Sequence, residues 1–443
     1  MKDHNGFSKV RDQYEDYPYP ARNPYDEKKY LHRIYLDCLD RINHYCHSGL
    51  NDFSAGARIL VAGGGTGDST IFFAEQLRDT DSEIVYLDFS KASMDVARQR
   101  AAIRGLDNIT WIQDSLLDIS PLKLGMFDHI SCTGVLHHLE NPLEGLAALK
   151  SVLDDEGSIT LMVYALYGRT AVYQVQELMK LITQNEPDMQ VKVHDTRKVL
   201  DALPTGHWYH WSNPDDMIMP DIELYDRFLH SQDRAYTIPQ LHDFVESAGL
   251  KVSHLFDQRE MTGDSLYKPA FYIRDHKLLA RIQALDIKEQ QAIAELLNGR
   301  ITQHSFYAAT NTPPLPDPEM LDNIPALTIR ARKNVYDLLI QQVCAGGEAV
   351  TFSLPTTKAD FTLQKTEHME EFFRHMDGLK TLEEIYNLII FRNWQNNKQI
   401  SHASLSYEFR EMISTMTAHN QLHFRHKSVP AYRTSEEIQA RMS

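Results

Sequence analysis

Between residues 58 and 165, short apolar runs alternate with amphipathic stretches. The runs RILVAG (58–63), EIVYLD (83–88), NITWIQ (108–113), FDHISCT (127–133) and GSITLMVYA (157–165) predict β-strands. Between them, STIFFAEQL (69–77), KASMDVARQRAAIRG (91–105) and PLEGLAALKSVL (142–153) predict helices. Strand–helix alternation of this kind predicts a mostly parallel, doubly wound α/β sheet with helices on both faces. Upstream, Leu31, Ile34, Tyr35, Cys38, Leu39 and Ile42 recur at helical spacing and predict one helix from Asp26 to Gly49. Downstream, TIPQLHDFVESAGL (237–250) predicts a helix, and KVSHLFD (251–257) and KPAFYIRD (268–275) two more strands, which completes a seven-stranded sheet.

The flanks differ in character. Residues 1–25 are rich in Tyr, Pro and Asp and read as an ordered arm or lid. A long insertion between Tyr173 and Arg234 holds HWYHWSNP (207–214). After about His276 come the helical LLARIQALDIKEQQAIAELLNG (278–299), the Pro-rich TNTPPLPDPE (310–319), β candidates near 349–363 and helices near 380–391 and 403–418. TLEE (381–384) fits a capping box with Thr381 as cap and Glu384 at the third helical position. The expected division is therefore an N-terminal arm and helix (1–50), the main α/β domain (51–275) and a smaller α+β accessory domain (276–443).

Composition narrows the function classes. The chain has 443 residues and a formal charge of −16, which argues against a large passive surface for long nucleic acid. No apolar run approaches a membrane span, and MKDHNGFSKVRDQYEDYPYP carries no signal-like apolar region. Four cysteines, Cys38, Cys46, Cys132 and Cys344, lack CxxC spacing, so a reducing cytoplasm is the expected compartment.

The stretch RILVAGGGTGDST (58–70) carries the first chemistry. A phosphate-binding P-loop needs a lysine after the glycines, and none follows. A dinucleotide fingerprint needs a third glycine where Asp68 stands, and a carboxylate there would repel a pyrophosphate. S-adenosylmethionine (SAM) has no phosphates, and glycines would let the backbone lie against it. Asp88 ends the second predicted strand and can accept two hydrogen bonds from ribose hydroxyls, or cap the next helix beside Ser90. Asp114 ends the third, where it can meet an adenine amino group or form a turn.

Together, ILVAGGGTGDST, VYLDFSKASMDVAR, ITWIQDSLLD and FDHISCTGVLHHLENPLEGLAALKSVLDDEGSITLMVYALYGR resemble the successive motifs of class I SAM-dependent methyltransferases of the bacterial type 11/12 kind. The resemblance covers roughly residues 55–275, and QYEDYPYPARNP is similar to an N-terminal motif of some bacterial relatives. It implies a Rossmann-like fold, methyl transfer from SAM and release of S-adenosylhomocysteine. It implies that Gly63, Gly64, Gly65 and Gly67 line SAM, that Asp88 with neighbouring Phe89 holds the ribose, that Asp114 and Ser115 flank the adenine, and that Gly134 to His138 lie beneath the methyl-transfer site. Many members carry an acid where this chain has Val61. EEFFRHMDGLKTLEEIYNLI (370–389) resembles winged-helix-like domains appended to some bacterial protein-lysine methyltransferases, which implies presentation of a protein substrate or dimerisation.

Methyl transfer from a sulfonium is an in-line displacement that depends on orientation in a dry pocket. An amine, hydroxyl or carbon acceptor must also lose a proton, and His137 and His138 follow the fourth strand with a suitable pKa range. From the arm, Tyr14, Tyr17 and Tyr19 offer flat faces that exclude water, and Tyr17 and Tyr19 join the histidines as catalytic candidates. Tyr164, Tyr167 and Arg169 face substrate or anchor the next helix, and His207, Trp208, Tyr209, His210 and Trp211 form a substrate wall or a core. His44, Cys46 and His47 lack a second ligand pair, so no metal is expected. No [DN]-P-P-[YFW] motif follows strand four, and the acceptor is a protein or a small molecule. A catalytically silent SAM-fold module acting through the C-terminal domain stands as the alternative, with a nicotinamide-dependent oxidoreductase as a third reading.

Overall fold

A computed structural model describes residue 15 and residues 18–212, 219–230, 232–256, 266–327, 340–345, 347–354, 359–419 and 421–432. Its centre is one sheet, ordered β3-β2-β1-β4-β5-β8-β7, with the two-residue β6 (Ala235–Tyr236) also paired to β5. The strands β1 (Arg58–Ala62), β2 (Glu83–Asp88), β3 (Ile109–Gln113), β4 (Phe127–Thr133) and β5 (Leu153–Ala165) run parallel. β7 (Lys251–Phe256) and β8 (Gln303–Ala309) form an antiparallel pair, with β8 also antiparallel to β5. β1 and β2 are buried along nearly their whole length, as strands covered on both faces must be. The covering helices nearest the site are α2 (Asp68–Gln76), α3 (Lys91–Arg104) and α4 (Pro142–Lys150), with α1 (Leu39–Cys46) upstream of β1. Strand order reverses between β1 and β4, which opens a crevice at the carboxyl ends of β1, β2 and β4.

Two expected elements take other forms. KPAFYIRD is not a strand: Pro269–Phe271 make a 3₁₀ turn. The sheet is instead completed by β8, beyond residue 275 and after helices α10 (His276–Gln283) and α11 (Ile287–Asn298). The polar residues of β8 disguise it. His304 is buried because its ring bonds Tyr267 Oη at 3.0 Å and the Tyr236 carbonyl at 3.0 Å, and Tyr307 donates to Leu36 O at 2.6 Å. Nor is 26–49 one helix. It breaks into 3₁₀ turns at Pro24–Lys28 and Tyr35–Asp37 before α1. Buried Glu27 is drawn to Arg100 and Arg104 of α3, and the Gln76 side chain takes Leu39 N–H and the Asp37 carbonyl for itself.

The insertion folds as helices α5 (Thr170–Ile182), α6 (Met189–Ala202), α7 (Trp208–Ser212) and α8 (Asp221–Phe228) around Val175, Met179, Leu224 and Phe228, before α9 (Ile238–Ser247) rejoins the sheet. The C-terminal part has its own core. It contains the pair β9 (Asn323–Leu327) and β12 (Leu422–His426), the hairpin β10 (Ala349–Leu354) and β11 (Ala359–Gln364), and helices α12 (Met369–His375), α13 (Leu382–Gln395) and α14 (His402–Ala418). Thr381 and Glu384 form the expected capping box of α13.

Candidate active site

The glycine loop closes the end of β1, and the chain itself crowds it. A Cβ on Gly65 (φ +51°) would lie 2.6 Å from the Tyr19 carbonyl oxygen, and one on Gly67 (φ +99°) 2.7 Å from Ala97 Cβ. The loop is therefore shaped first to receive the N-terminal arm. Thr66 N–H donates to Tyr19 O at 3.2 Å, and Thr66 Oγ1 to Pro20 O at 2.7 Å. Arg22 closes a fork on Asp68, with Nη2 to Oδ2 at 2.7 Å and Nε to Oδ1 at 3.0 Å, while Arg100 takes Oδ1 at 2.7 Å. These pairs hold the Asp68 carboxyl below its usual range against the opposing effect of burial. At the far side, Glu15 accepts from Lys91 N–H (2.6 Å) and Ala92 N–H (3.2 Å) at the start of α3.

Beneath the arm lies a cavity of about 700 Å³. Gly63, Gly64, Gly65, Asp88, Phe89 and Gly134 all line it. Asp88 is both a loop-holder and a wall residue. Its Oδ2 accepts from Gly65 N–H at 2.8 Å and its Oδ1 from Ser90 N–H at 2.8 Å. Phe89 N–H also stabilises it, and an ionised carboxylate has about four lone-pair sites, so roughly one remains for a ligand. Burial pushes the Asp88 carboxyl up to about 6. Gly67, Asp114 and Ser115 are not among the lining residues. Asp114 turns back on Ser115 N–H, Ser115 caps the following 3₁₀ turn, and Leu117 of that turn reaches the cavity instead.

The other end of the cavity is aromatic. Tyr19 and His138 line it together with Gln232. Burial, with Asp226 and Glu223 nearby, pushes the Tyr19 phenol up to about 12, so it stays protonated as a wall and hydrogen-bond donor. His138 Nδ1 lies 2.9 Å from the Gln232 carbonyl oxygen, which fixes the hydrogen on Nδ1 and leaves the Nε2 lone pair free. His138 stacks on His230 at 3.9 Å, and ligand-type atoms of His138, Asp226 and His230 lie within 4.8 Å of one another. Gln232 N–H donates to His230 Nδ1 at 3.1 Å, so in the neutral ring the hydrogen sits on Nε2, where a cation would need a lone pair. With that hydrogen in place His230 offers no lone pair to a shared cation, and its Nε2–H finds no acceptor among the described residues.

His137 separates from its neighbour. It is fully buried behind His138 and against Tyr164 (3.9 Å), off the cavity wall, and burial holds its pKa well below the histidine range. It packs as a neutral ring. Arg169 anchors the insertion, with Asp233 at 3.0 Å and the Tyr164 face at 3.5 Å, and Tyr167 is exposed. In the aromatic stretch, Tyr209 joins the insertion core, Trp208 is exposed, and the Trp211 side chain lies outside the described residues. Tyr14 and Tyr17 also lie outside them. His44 accepts from Phe424 N–H at 3.0 Å while His47 bonds Ser158 at 3.1 Å, so the two face different neighbours. Asp37, Asp226, His230 and Gln232 escaped the sequence reading, because no spacing links them to the motif that they face.

A reversing parallel sheet, a glycine loop without phosphate-binding lysine and a buried carboxylate at the end of β2 define the nucleoside-binding crevice of a class I methyltransferase fold. Residues 60–159 match the family described as a methyltransferase domain. Residues 60–159 thus carry a methyltransferase domain, and SAM is the cofactor that the sequence resemblance implies for it. An uncharacterised protein of Synechococcus sp. is 32% identical over 282 residues, which are 62% of this chain and 65% of that one. A ubiquinone biosynthesis O-methyltransferase of Vibrio parahaemolyticus is 24% identical over 33% of this chain and 62% of its own length. The chain thus spans less than two thirds of the length of these curated relatives. Among solved structures, PKMT2 from Rickettsia typhi shares the fold, with a TM-score of 0.63, 16% identity, and coverage of 89% of this chain and 76% of that one; its complex with AdoHcy gives 0.62. A crevice of this volume with an open carboxylate at one end fits the cofactor.

Proposed function

We propose that the protein transfers the methyl group of SAM to a protein side chain or a small molecule by in-line displacement. The observation that carries this is one continuous cavity joining Asp88 and the glycine loop to His138 and Tyr19. The cofactor supplies an activated methyl group on a sulfonium, so no covalent enzyme intermediate is needed. The chain's own task is orientation in a water-poor site, which can contribute roughly 7–11 kcal/mol. Asp88 holds the ribose hydroxyls, and Phe89, Leu117 and the loop from Gly63 to Gly65 shape the nucleoside end. Tyr19 closes the arm over the cavity and excludes water.

His138 acts as the base that takes the acceptor's proton at Nε2, because the Gln232 carbonyl holds the hydrogen on Nδ1. A nitrogen or oxygen nucleophile suits this role; the Vibrio relative's name points to oxygen. The C-terminal part presents the acceptor or pairs two copies of the chain. The four free cysteines fit a reducing cytoplasm, and among the described residues no helix is long and apolar enough to cross a membrane.

Incubation with methyl-tritiated SAM and fractionated bacterial extract tests the reading. Label enters one fraction with the parent protein. His138→Ala reduces the rate by about 10²–10⁴-fold while S-adenosylhomocysteine binding stays within about twofold. Absence of transfer to every fraction, or an unchanged rate in His138→Ala, contradicts it.

A further inference from the structure

Besides its adenosine, SAM carries an amino-acid end whose α-ammonium is a full positive charge. Burying such a charge without an anion is costly. Of the acidic side chains on the cavity wall, Asp88 serves the glycine loop, Asp68 is already paired with Arg22 and Arg100, and Glu140 and Glu144 are exposed. The wall made by Ile34, Val61, Ser69, Ser131 and Met162 has no charge at all.

Behind this neutral wall stands Asp37, fully buried. Ser131 Oγ donates to its Oδ1 at 2.9 Å, and Ser69 is the other hydroxyl that stabilises its charge. Its Oδ2 has no hydrogen-bond partner, and no cation among the described residues pairs with it. The backbone is held rigidly for so open a carboxylate: Gln76 Nε2 donates to the Asp37 carbonyl at 2.9 Å and Tyr307 Oη to the Leu36 carbonyl at 2.6 Å. A buried, half-satisfied carboxylate fixed one layer behind two cavity-lining serines lacks a positive partner.

We propose that Asp37 is the anchor for the α-ammonium group of SAM, acting through Oδ2 and the Ser69 and Ser131 hydroxyls. The proposal rests on the reading of this cavity as the cofactor site. Burial pushes the Asp37 carboxyl up to about 6, and an arriving ammonium keeps it ionised.

The test compares two probes on the full chain: S-adenosylhomocysteine, and its analogue with hydrogen in place of the α-amino group. Asp37→Asn weakens S-adenosylhomocysteine at least tenfold and changes the deaminated analogue less than about twofold. Ser131→Ala, which keeps the carboxylate, gives a smaller loss with the same selectivity. Equal losses on both probes would assign Asp37 a purely structural role, and no loss on either would also overturn the proposal. A parent protein that binds neither probe fails the cofactor reading itself, a result distinct from unselective loss.

Discussion

Asp37 and Asp88 are buried carboxylates with pKa values raised to about 6 from an ordinary 3.8. The folded state therefore binds protons more tightly than the unfolded chain between these values. Stability from this source is complete below about pH 4 and lost as pH rises through 6. Ionised Asp37 costs on the order of 3 kcal/mol in the ligand-free protein. Tyr307 faces it from β8, Ser69 and Gln76 from α2 and Ser131 from β4, and none supplies a compensating charge at neutral pH. Asp37→Asn is expected to melt several degrees above the parent at pH 7.5 and level with it near pH 4. A difference independent of pH, measured by thermal melts across that range, contradicts the assignment. At this scale the sequence was legible where chemistry is local. Asp88 ends β2, which the apolar run predicts, and its carboxylate lines the cavity. Asp37 was not legible, because its partners Ser69 and Ser131 reach it only through the fold. Asp68 was noticed as an obstacle to phosphate, but its use as the arm's anchor depends on Arg22 and Arg100, far away in sequence.

The arm and α3 are joined by a buried charge network. Glu27 bonds Arg100 (2.6 Å) and Arg104, and Arg104 continues to Glu75 at 2.9 Å. Removing Glu27 takes one anion from this network but leaves Arg100 with Asp68 and Arg104 with Glu75, so the cost falls below the about 3–5 kcal/mol of a fully stranded buried charge. Glu27→Gln is thus expected to lower the melting temperature and loosen the arm, read as faster proteolysis near residues 20–30. Unchanged melting would show that the network carries little. Gly65→Ala acts on the same element from the other side. Its Cβ meets the Tyr19 carbonyl, so the arm must shift, and S-adenosylhomocysteine affinity is expected to fall at least tenfold while the sheet stays folded by circular dichroism. The same network explains why periodicity misled: the apolar spacing of 31–42 is real, but Glu27 and Gln76 impose turns on it. Strand β8 was missed because its polar residues are satisfied by Tyr267 and Tyr236. Strands β1 and β2 were readable because their runs are nearly all apolar, and β4, which also buries His129 and Ser131, because it falls in the strand–helix alternation.

Across the molecule, the C-terminal part returns to the N-terminal helix. Phe424 N–H donates to His44, His426 N–H to Gly49 O, and Tyr432 Oη to Asn51 O at 3.1 Å. This contact buries His44 and His423, and the neighbouring sheet and helix bury further neutral histidines. Burial holds His44 and His129 near 3 and His47 near 4, and His254 and His423 well below the usual 6.5. Their stability contribution is present above 6.5 and lost as pH falls toward 3. These rings outnumber the two raised carboxylates, so the whole protein is expected to lose stability below pH 6.5. Denaturant unfolding at pH 7.5 and 5 checks this, and equal or greater stability at pH 5 contradicts it. No sequence pattern links His44 to Phe424, so this junction was invisible beforehand.

The central claim is that the crevice at the ends of β1, β2 and β4 binds SAM through Asp88. Isothermal titration of S-adenosylhomocysteine into the parent protein and Asp88→Ala tests it most directly. The account predicts saturable one-to-one binding, weakened at least tenfold, about 1.4 kcal/mol, by the substitution. No binding, or binding indifferent to Asp88, would contradict it.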